Sequence, residues 1–222
     1  VGLRRAIALC IVLSAWVVPA SAEAGRIAAA GRIEHENGNT CSAALIAPDV
    51  VLTAAHCARP GDTLVFRPGD GQSGEVYAAS RVFVHPLYVV AHWRTDWRLR
   101  FDLAVAKLET PVPLDRAVPL PVGDEAEVGE ILFVVSWRGG DGDRPRQKAC
   151  PVLATVIPGL VTLGCRVQGG ESGAPVIRRT EGGLELVAVI SSRNQVLNQP
   201  VAHASNIRFR LQPLFDAIEQ AP

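Results

Sequence analysis

The sequence predicts an all-β fold, an antiparallel sandwich or barrel, followed by one short C-terminal helix. Three observations carry this. Apolar runs of strand length recur along the 222 residues, separated by turns rich in glycine and proline. These runs do not alternate with helix-length segments, as the βα units of a parallel sheet would require. Near the end, Leu211, Leu214, Phe215 and Ile218 fall at helical spacing, which predicts a helix over about 211–220.

Taken in order, Arg32-Ile33-Glu34-His35 is a first short strand after a small, polar lead-in. His35 beside Glu36 reads as a solvated turn pair, and Asn39 stands where a zinc H-E-x-x-H motif needs its second histidine. Ala43 to Ala47 and Val50 to Leu52 flank the turn Pro48-Asp49, the pattern of a buried hairpin. Strand-like runs follow at Thr63–Phe66, Glu75–Tyr77, Ser80–His85 and Leu103–Leu108. A proline-rich stretch from Thr110 to Pro121 then divides the chain into two halves of similar style. The second half offers Glu130–Trp137, Ala149–Ile157, Leu160–Cys165, Ala174–Ile177 and Glu185–Ser191. Between the first two of these, Asp141-Gly142-Asp143 lacks the spacing and glutamate of a calcium loop and reads as an exposed turn.

Composition narrows the function classes. Lys plus Arg and Asp plus Glu both number 22, so no bulk charge recruits nucleic acid or an anionic membrane. Residues 1–22 read as an export signal: Arg4-Arg5, an apolar run from Ala6 to Val18, and a small-residue cleavage site at Ala20-Ser21-Ala22. The apolar run is shorter than the roughly 20 residues of a membrane span. The expected mature domain is 23–222, secreted or periplasmic, without stable membrane insertion. Losing Cys10 with the signal leaves Cys41, Cys57, Cys150 and Cys165, an even set suited to an oxidising compartment. Sequence-local pairing, Cys41–Cys57 and Cys150–Cys165, is favoured because each pair brackets one compact segment. No C-x-x-C spacing supports a zinc site, and no metal or organic cofactor is expected.

Three segments fit one mechanism. Thr53-Ala54-Ala55-His56-Cys57 ends an apolar strand on a histidine. Phe101-Asp102-Leu103-Ala104-Val105 heads another strand with an acid. Gly169-Gly170-Glu171-Ser172-Gly173 sets a serine among glycines. A serine hydroxyl becomes nucleophilic when a base takes its proton, and the base needs an orienting acid. Glycines let the backbone turn tightly and present amides, here those of Gly170 and Ser172, to a developing oxyanion. One such donor stabilises the barrier by about 3 kcal/mol. Asp96 competes with Asp102 for the acid role but lacks a following apolar strand.

The order His56, Asp102, Ser172 in T-A-A-H-C, D-L-A-V-A-K-L and G-E-S-G-A-P resembles the chymotrypsin-like (trypsin-like) serine proteases, most of all their compact bacterial exported branch. The resemblance runs from about Gly31 to the terminal helix. It implies two six-stranded antiparallel barrels, about 30–115 and about 120–210, with the active site between them. It also implies a protein or peptide substrate, and the expected state is a monomer. By position, Arg166 falls at the base of the primary specificity pocket and Ser191-Ser192-Arg193 on the strand lining it, with His203 a further candidate. An arginine there favours acidic substrate side chains over basic ones by charge pairing; the alternative is an Arg166 facing solvent.

The sequence also departs from the family pattern. Glu171 replaces the usual aspartate, which in zymogen-activated members pairs with a newly released N-terminal amine. No R-I-V-G-G-type site is present, Arg26-Ile27 and Arg32-Ile33 being partial echoes. The expectation is an enzyme that needs no tryptic activation, with Glu171 holding another partner. Ala174 stands where glycine is common. The same serine does not fit an α/β-hydrolase, whose motif needs glycine where Ala174 stands and whose histidine comes last. The competing class is a catalytically weak homologue kept as a protein-binding module.

Overall fold

The computed structural model describes residues 27–69, 74–91, 95–137 and 145–221. The signal segment 1–22 and the turn Asp141-Gly142-Asp143 lie outside the described residues.

Two closed antiparallel barrels of six strands each make up the fold. The first contains β1 (Ala30–His35), β2 (Thr40–Ala47), β3 (Val50–Thr53), β4 (Leu64–Pro68), β5 (Tyr77–Val84) and β6 (Ala104–Leu108). Around the barrel they run β1-β2-β3-β6-β5-β4. The second contains β7 (Ile131–Ser136), β8 (Arg146–Ala154), β9 (Leu160–Leu163), β10 (Pro175–Thr180), β11 (Gly183–Val196) and β12 (Gln199–Asn206). Their order is β10-β11-β12-β9-β8-β7. Short helices α1 (Pro86–Val90) and α2 (Thr95–Arg100) sit between β5 and β6, and α3 (Gln212–Glu219) ends the chain.

Local chemistry explains the closure. Pro48-Asp49 turns the β2–β3 hairpin, where Leu45 pairs with Val51. A small barrel has room for few large side chains, and β2 and β6 accordingly bury Ala43, Ala44, Ala104 and Ala106. Phe66 fills the remaining space with no exposure. Its ring lies so close to Gly31 that a Cβ there would stand 2.6 Å from it and 2.4 Å from the Arg67 carbonyl oxygen, so only glycine fits. Both disulfides form as the spacing suggests, Cys41–Cys57 and Cys150–Cys165. Each closes a loop short enough to contribute about 3 kcal/mol in the chain-entropy picture.

The barrels share core. One apolar cluster joins Leu45, Leu52 and Leu103 of the first half to Val135, Trp137, Ile177, Leu186 and Val189 of the second, and α3 docks on it through the buried Leu214. A separate cluster fills the second barrel.

Several expectations change in detail. Tyr77 and Ser80–Val84 belong to one strand, β5, with Glu75 and Val76 before it and His85 after it, and β11 runs on to Val196. His35 is no solvated turn residue. It ends β1, and its Nε2 lies 2.6 Å from the carbonyl oxygen of Cys57, directly after His56. No helix of the described residues is long and apolar enough to cross a membrane.

Candidate active site

His56 lies in a single 3-10 turn, Ala55–Cys57, where β3 ends. Asp102 holds it twice. The His56 amide donates to Asp102 Oδ1 at 2.9 Å, and the ring Nδ1 lies 2.7 Å from Oδ2. An ionised carboxylate can only accept, so Nδ1 carries the hydrogen and Nε2 keeps its lone pair. The Asp102 side chain is 4 % exposed and that of His56 37 %, so the carboxylate is sealed while the imidazole faces the cleft. That cleft, of about 290 Å³, is lined among others by His56, Tyr88, Leu99, Asp102 and Ser192. Asp96 sits on α2 and is exposed, apart from this arrangement.

A third group reaches Asp102. The Ser191 hydroxyl donates to Oδ2 from the second barrel. β11 pairs Ile190 with Ala204 and then Ser192 with His203, so Ser191 is the extra residue of a bulge. A bulge re-aims a side chain that regular pleating would send elsewhere, and here it sends a hydroxyl across the barrel junction. Of the three residues expected to line a specificity pocket, Ser191 therefore sits at the acid, among the residues lining the His56 cleft. His203 lies on β12 with Nδ1 3.2 Å from Thr162 Oγ1, and burial lowers its pKa. Arg166 is exposed and lines a second cavity.

Ser172 follows a tight turn held from the first barrel by Ser42. The Ser42 amide donates to the Ser172 carbonyl at 2.8 Å, and the Ser42 hydroxyl donates to the Gly170 carbonyl at 3.0 Å. The Trp137 amide donates in turn to that hydroxyl at 3.0 Å. Gly173, at φ +78°, packs so closely that a Cβ would stand 2.2 Å from both the Ser42 carbonyl oxygen and Thr53 Oγ1. The serine turn is thereby pressed against the chain three residues before His56. Among the described residues, no group accepts from the amides of Gly170 and Ser172, whereas the Glu171 amide between them donates to Gln168. Two uncommitted donors thus flank the serine.

Glu171 is fully buried. Lys148 Nζ, from β8, donates to its two carboxylate oxygens at 2.6 and 2.8 Å and to the Arg166 carbonyl at 2.9 Å. All three ammonium hydrogens are used. Ser136 Oγ and the Gln168 amide donate to the same carboxylate at 2.7 and 2.6 Å. Burial alone would raise the Glu171 pKa; the hydrogen bonds from Lys148 and Ser136 outweigh it and hold the carboxyl below its usual range. Glu171 has its other partner, and that partner is internal.

The sequence matches the Trypsin family model over residues 17–208. The chain belongs to the trypsin family. Among curated relatives, human kallikrein-2 is 27 % identical over 172 residues, covering 62 % of this chain and 65 % of its own length. A trypsin of Squalus acanthias is 29 % identical over 164 residues, covering 62 % of this chain and 69 % of its own. The chain thus spans about two thirds of the length of the curated relatives it matches. The twin barrels are the trypsin-family architecture; Lys148 and Ser42 are site neighbours that the sequence alone did not single out, while Ser191 and His35 were named there in other roles.

Proposed function

We propose that this trypsin-family chain is an exported serine endopeptidase. His56 Nε2 takes the Ser172 hydroxyl proton as Ser172 Oγ bonds to the scissile carbonyl carbon. The amides of Gly170 and Ser172 receive the oxyanion, and His56 then gives the proton to the departing amine, leaving an acyl-enzyme. Water, deprotonated by the same imidazole, releases the acid and regenerates the serine. Asp102 fixes the Nδ1–H tautomer and stabilises the imidazolium that forms. No step calls for a metal or organic cofactor.

The observation that carries this reading is the double grip of Asp102 on His56, which puts the ring hydrogen on Nδ1, together with the packing of Gly173, next to Ser172, on Thr53, three residues before His56. The internal Lys148–Glu171 pair supports an enzyme that is competent without a released N-terminal amine. Two features support export: the signal-like segment 1–22 and the paired cysteines.

A fluorophosphonate probe reports on Ser172 directly. The mature chain should be labelled at that residue, Ser172→Ala should not, and only the wild type should cleave peptides. A folded wild type that stays unlabelled would favour the protein-binding module instead.

A further inference from the structure

The second cavity, of about 490 Å³, has Arg166 and Gln168 on one wall and Arg193, Asn194 and Gln195 on the other, with Val201 of β12 behind. Both walls are tied to the reacting groups. The Gln168 amide donates to the carboxylate of Glu171, the neighbour of Ser172. Arg193 follows by two residues Ser191, which donates to Asp102. A carbonyl oxygen received by the amides of Gly170 and Ser172 belongs to a residue whose side chain starts one bond away. The segment that supplies those amides begins as this cavity's wall, so that side chain is the one the cavity can reach.

The charge of the cavity is one-sided. Among the described residues, two guanidiniums line it and no carboxylate does. Among the described residues, neither Arg166 nor Arg193 has an acidic partner. The ammonium of Lys148, which reaches the Arg166 carbonyl, is already matched by Glu171. An unpaired pair of guanidiniums is matched best by a planar carboxylate that accepts two hydrogen bonds at once. The remaining lining combines the side-chain amides of Gln168, Asn194 and Gln195 with apolar surface from Val167, Pro200 and Val201.

We propose that this cavity takes the carboxylate of a glutamate or aspartate side chain on the acyl side of the scissile bond, read by Arg166 and Arg193 together. The proposal rests on the endopeptidase reading for the position of the bond, and on the cavity alone for the choice of side chain. Both arginines are exposed, so replacing them leaves the core untouched.

Two measurements separate the possible failures. In the first, the mature chain is given matched peptides differing only at that residue: Glu, Asp, Gln, Leu or Lys. Glu or Asp should exceed Gln in kcat/KM by about tenfold or more, the worth of a charge-assisted hydrogen bond. Arg166→Gln and Arg193→Gln should each shrink the Glu-to-Gln ratio, and Arg193→Glu should move the preference toward Lys. In the second, calorimetry follows binding of the same Glu and Gln peptides to Ser172→Ala, where no chemistry occurs. Tighter binding of the Glu peptide that weakens in both arginine variants supports the cavity even if the wild type proves inactive. Efficient cleavage after Leu or Lys with no Glu preference overturns the proposal and leaves the endopeptidase reading standing. Equal binding of Glu and Gln peptides to Ser172→Ala overturns it as well.

Discussion

Glu171 is a carboxylate removed from water, with the Lys148 ammonium against both of its oxygens. Removing one member of such a pair leaves the other charge buried and unmatched, whereas removing both leaves only a gap. Lys148→Met should therefore lower stability by about 3 kcal/mol, and Lys148→Met with Glu171→Gln should recover much of it. Denaturant midpoints check this, and a Met variant as stable as the wild type would remove Lys148 from its role. Fluorophosphonate labelling should slow in the single variant, because the same carboxylate holds the Gln168 amide and shapes the turn before Ser172. The sign of the pH effect follows from the lowered Glu171 pKa: its contribution is intact above the ordinary 4.5 and is lost as pH falls below that value. That Glu171 needs another partner was legible from its departure from the family pattern, but nothing in Arg146-Gln147-Lys148 marked Lys148 as that partner. His56, Asp102 and Ser172 announce themselves through the residues on either side of them. Lys148, 23 residues from Glu171, does not. Ser42 and the bond from Ser191 to Asp102 are unreadable for the same reason, since a hydroxyl on a strand carries no sign of the partner across the barrel junction.

At the scale of elements, the strands of the first barrel were readable because apolar runs there end on clear turns. β12 was not: Gln199 to Asn206 buries the small residues Ala202, Ala204 and Ser205, and a run of small residues has weak periodicity. Helix α1 is five residues long, too short for a helical stripe, and Val89 and Val90 are exposed. Its real signal was the cap. His85 precedes Pro86, the favoured first helical residue, and His85 Nδ1 accepts from the Leu87 amide at 3.2 Å. His85 is buried and stacks on Phe101, with ring centroids 4.9 Å apart, one residue before Asp102. Burial, with Arg210 adding repulsion, lowers its pKa from 6.5 to about 4. The unfolded chain then binds this proton more readily than the folded one, so stability is full above pH 6.5 and declines as pH falls toward 4. The loss between pH 7.5 and pH 5 should be about 2 kcal/mol. His85→Asn keeps a cap acceptor and removes the titration, so its stability should vary less over that interval. His203, also lowered by burial, adds in the same direction. Equal pH slopes for wild type and His85→Asn in urea melts would assign the acid sensitivity elsewhere.

On the scale of the molecule, the site exists only while the two barrels stay joined. Asp102 belongs to the first barrel and Ser191 to the second, and Ser42 of the first clasps the turn of Ser172. The Ser205 hydroxyl adds another crossing bond, to the Leu99 carbonyl. Neither disulfide spans the junction: Cys41–Cys57 lies within the first half and Cys150–Cys165 within the second. What joins the halves is apolar burial. Trp137, 3 % exposed, and Ile177, 2 %, belong to the same cluster as the first barrel's Leu45 and Leu52. Separating the barrels would strip that cluster open, taking the first barrel's core with it and leaving the second only its own separate cluster. Unfolding in guanidinium should then be one cooperative step, with far-UV circular dichroism and tryptophan emission, shifted to the blue by buried Trp137, changing at the same concentration. Fluorophosphonate labelling should disappear at that point and no earlier. Two resolved dichroism transitions would mean that each barrel holds itself together. Labelling lost well before the dichroism changes would mean instead that the junction opens first, with Ser42 and Ser191 too weak to hold Ser172 and Asp102 together once the shared core loosens.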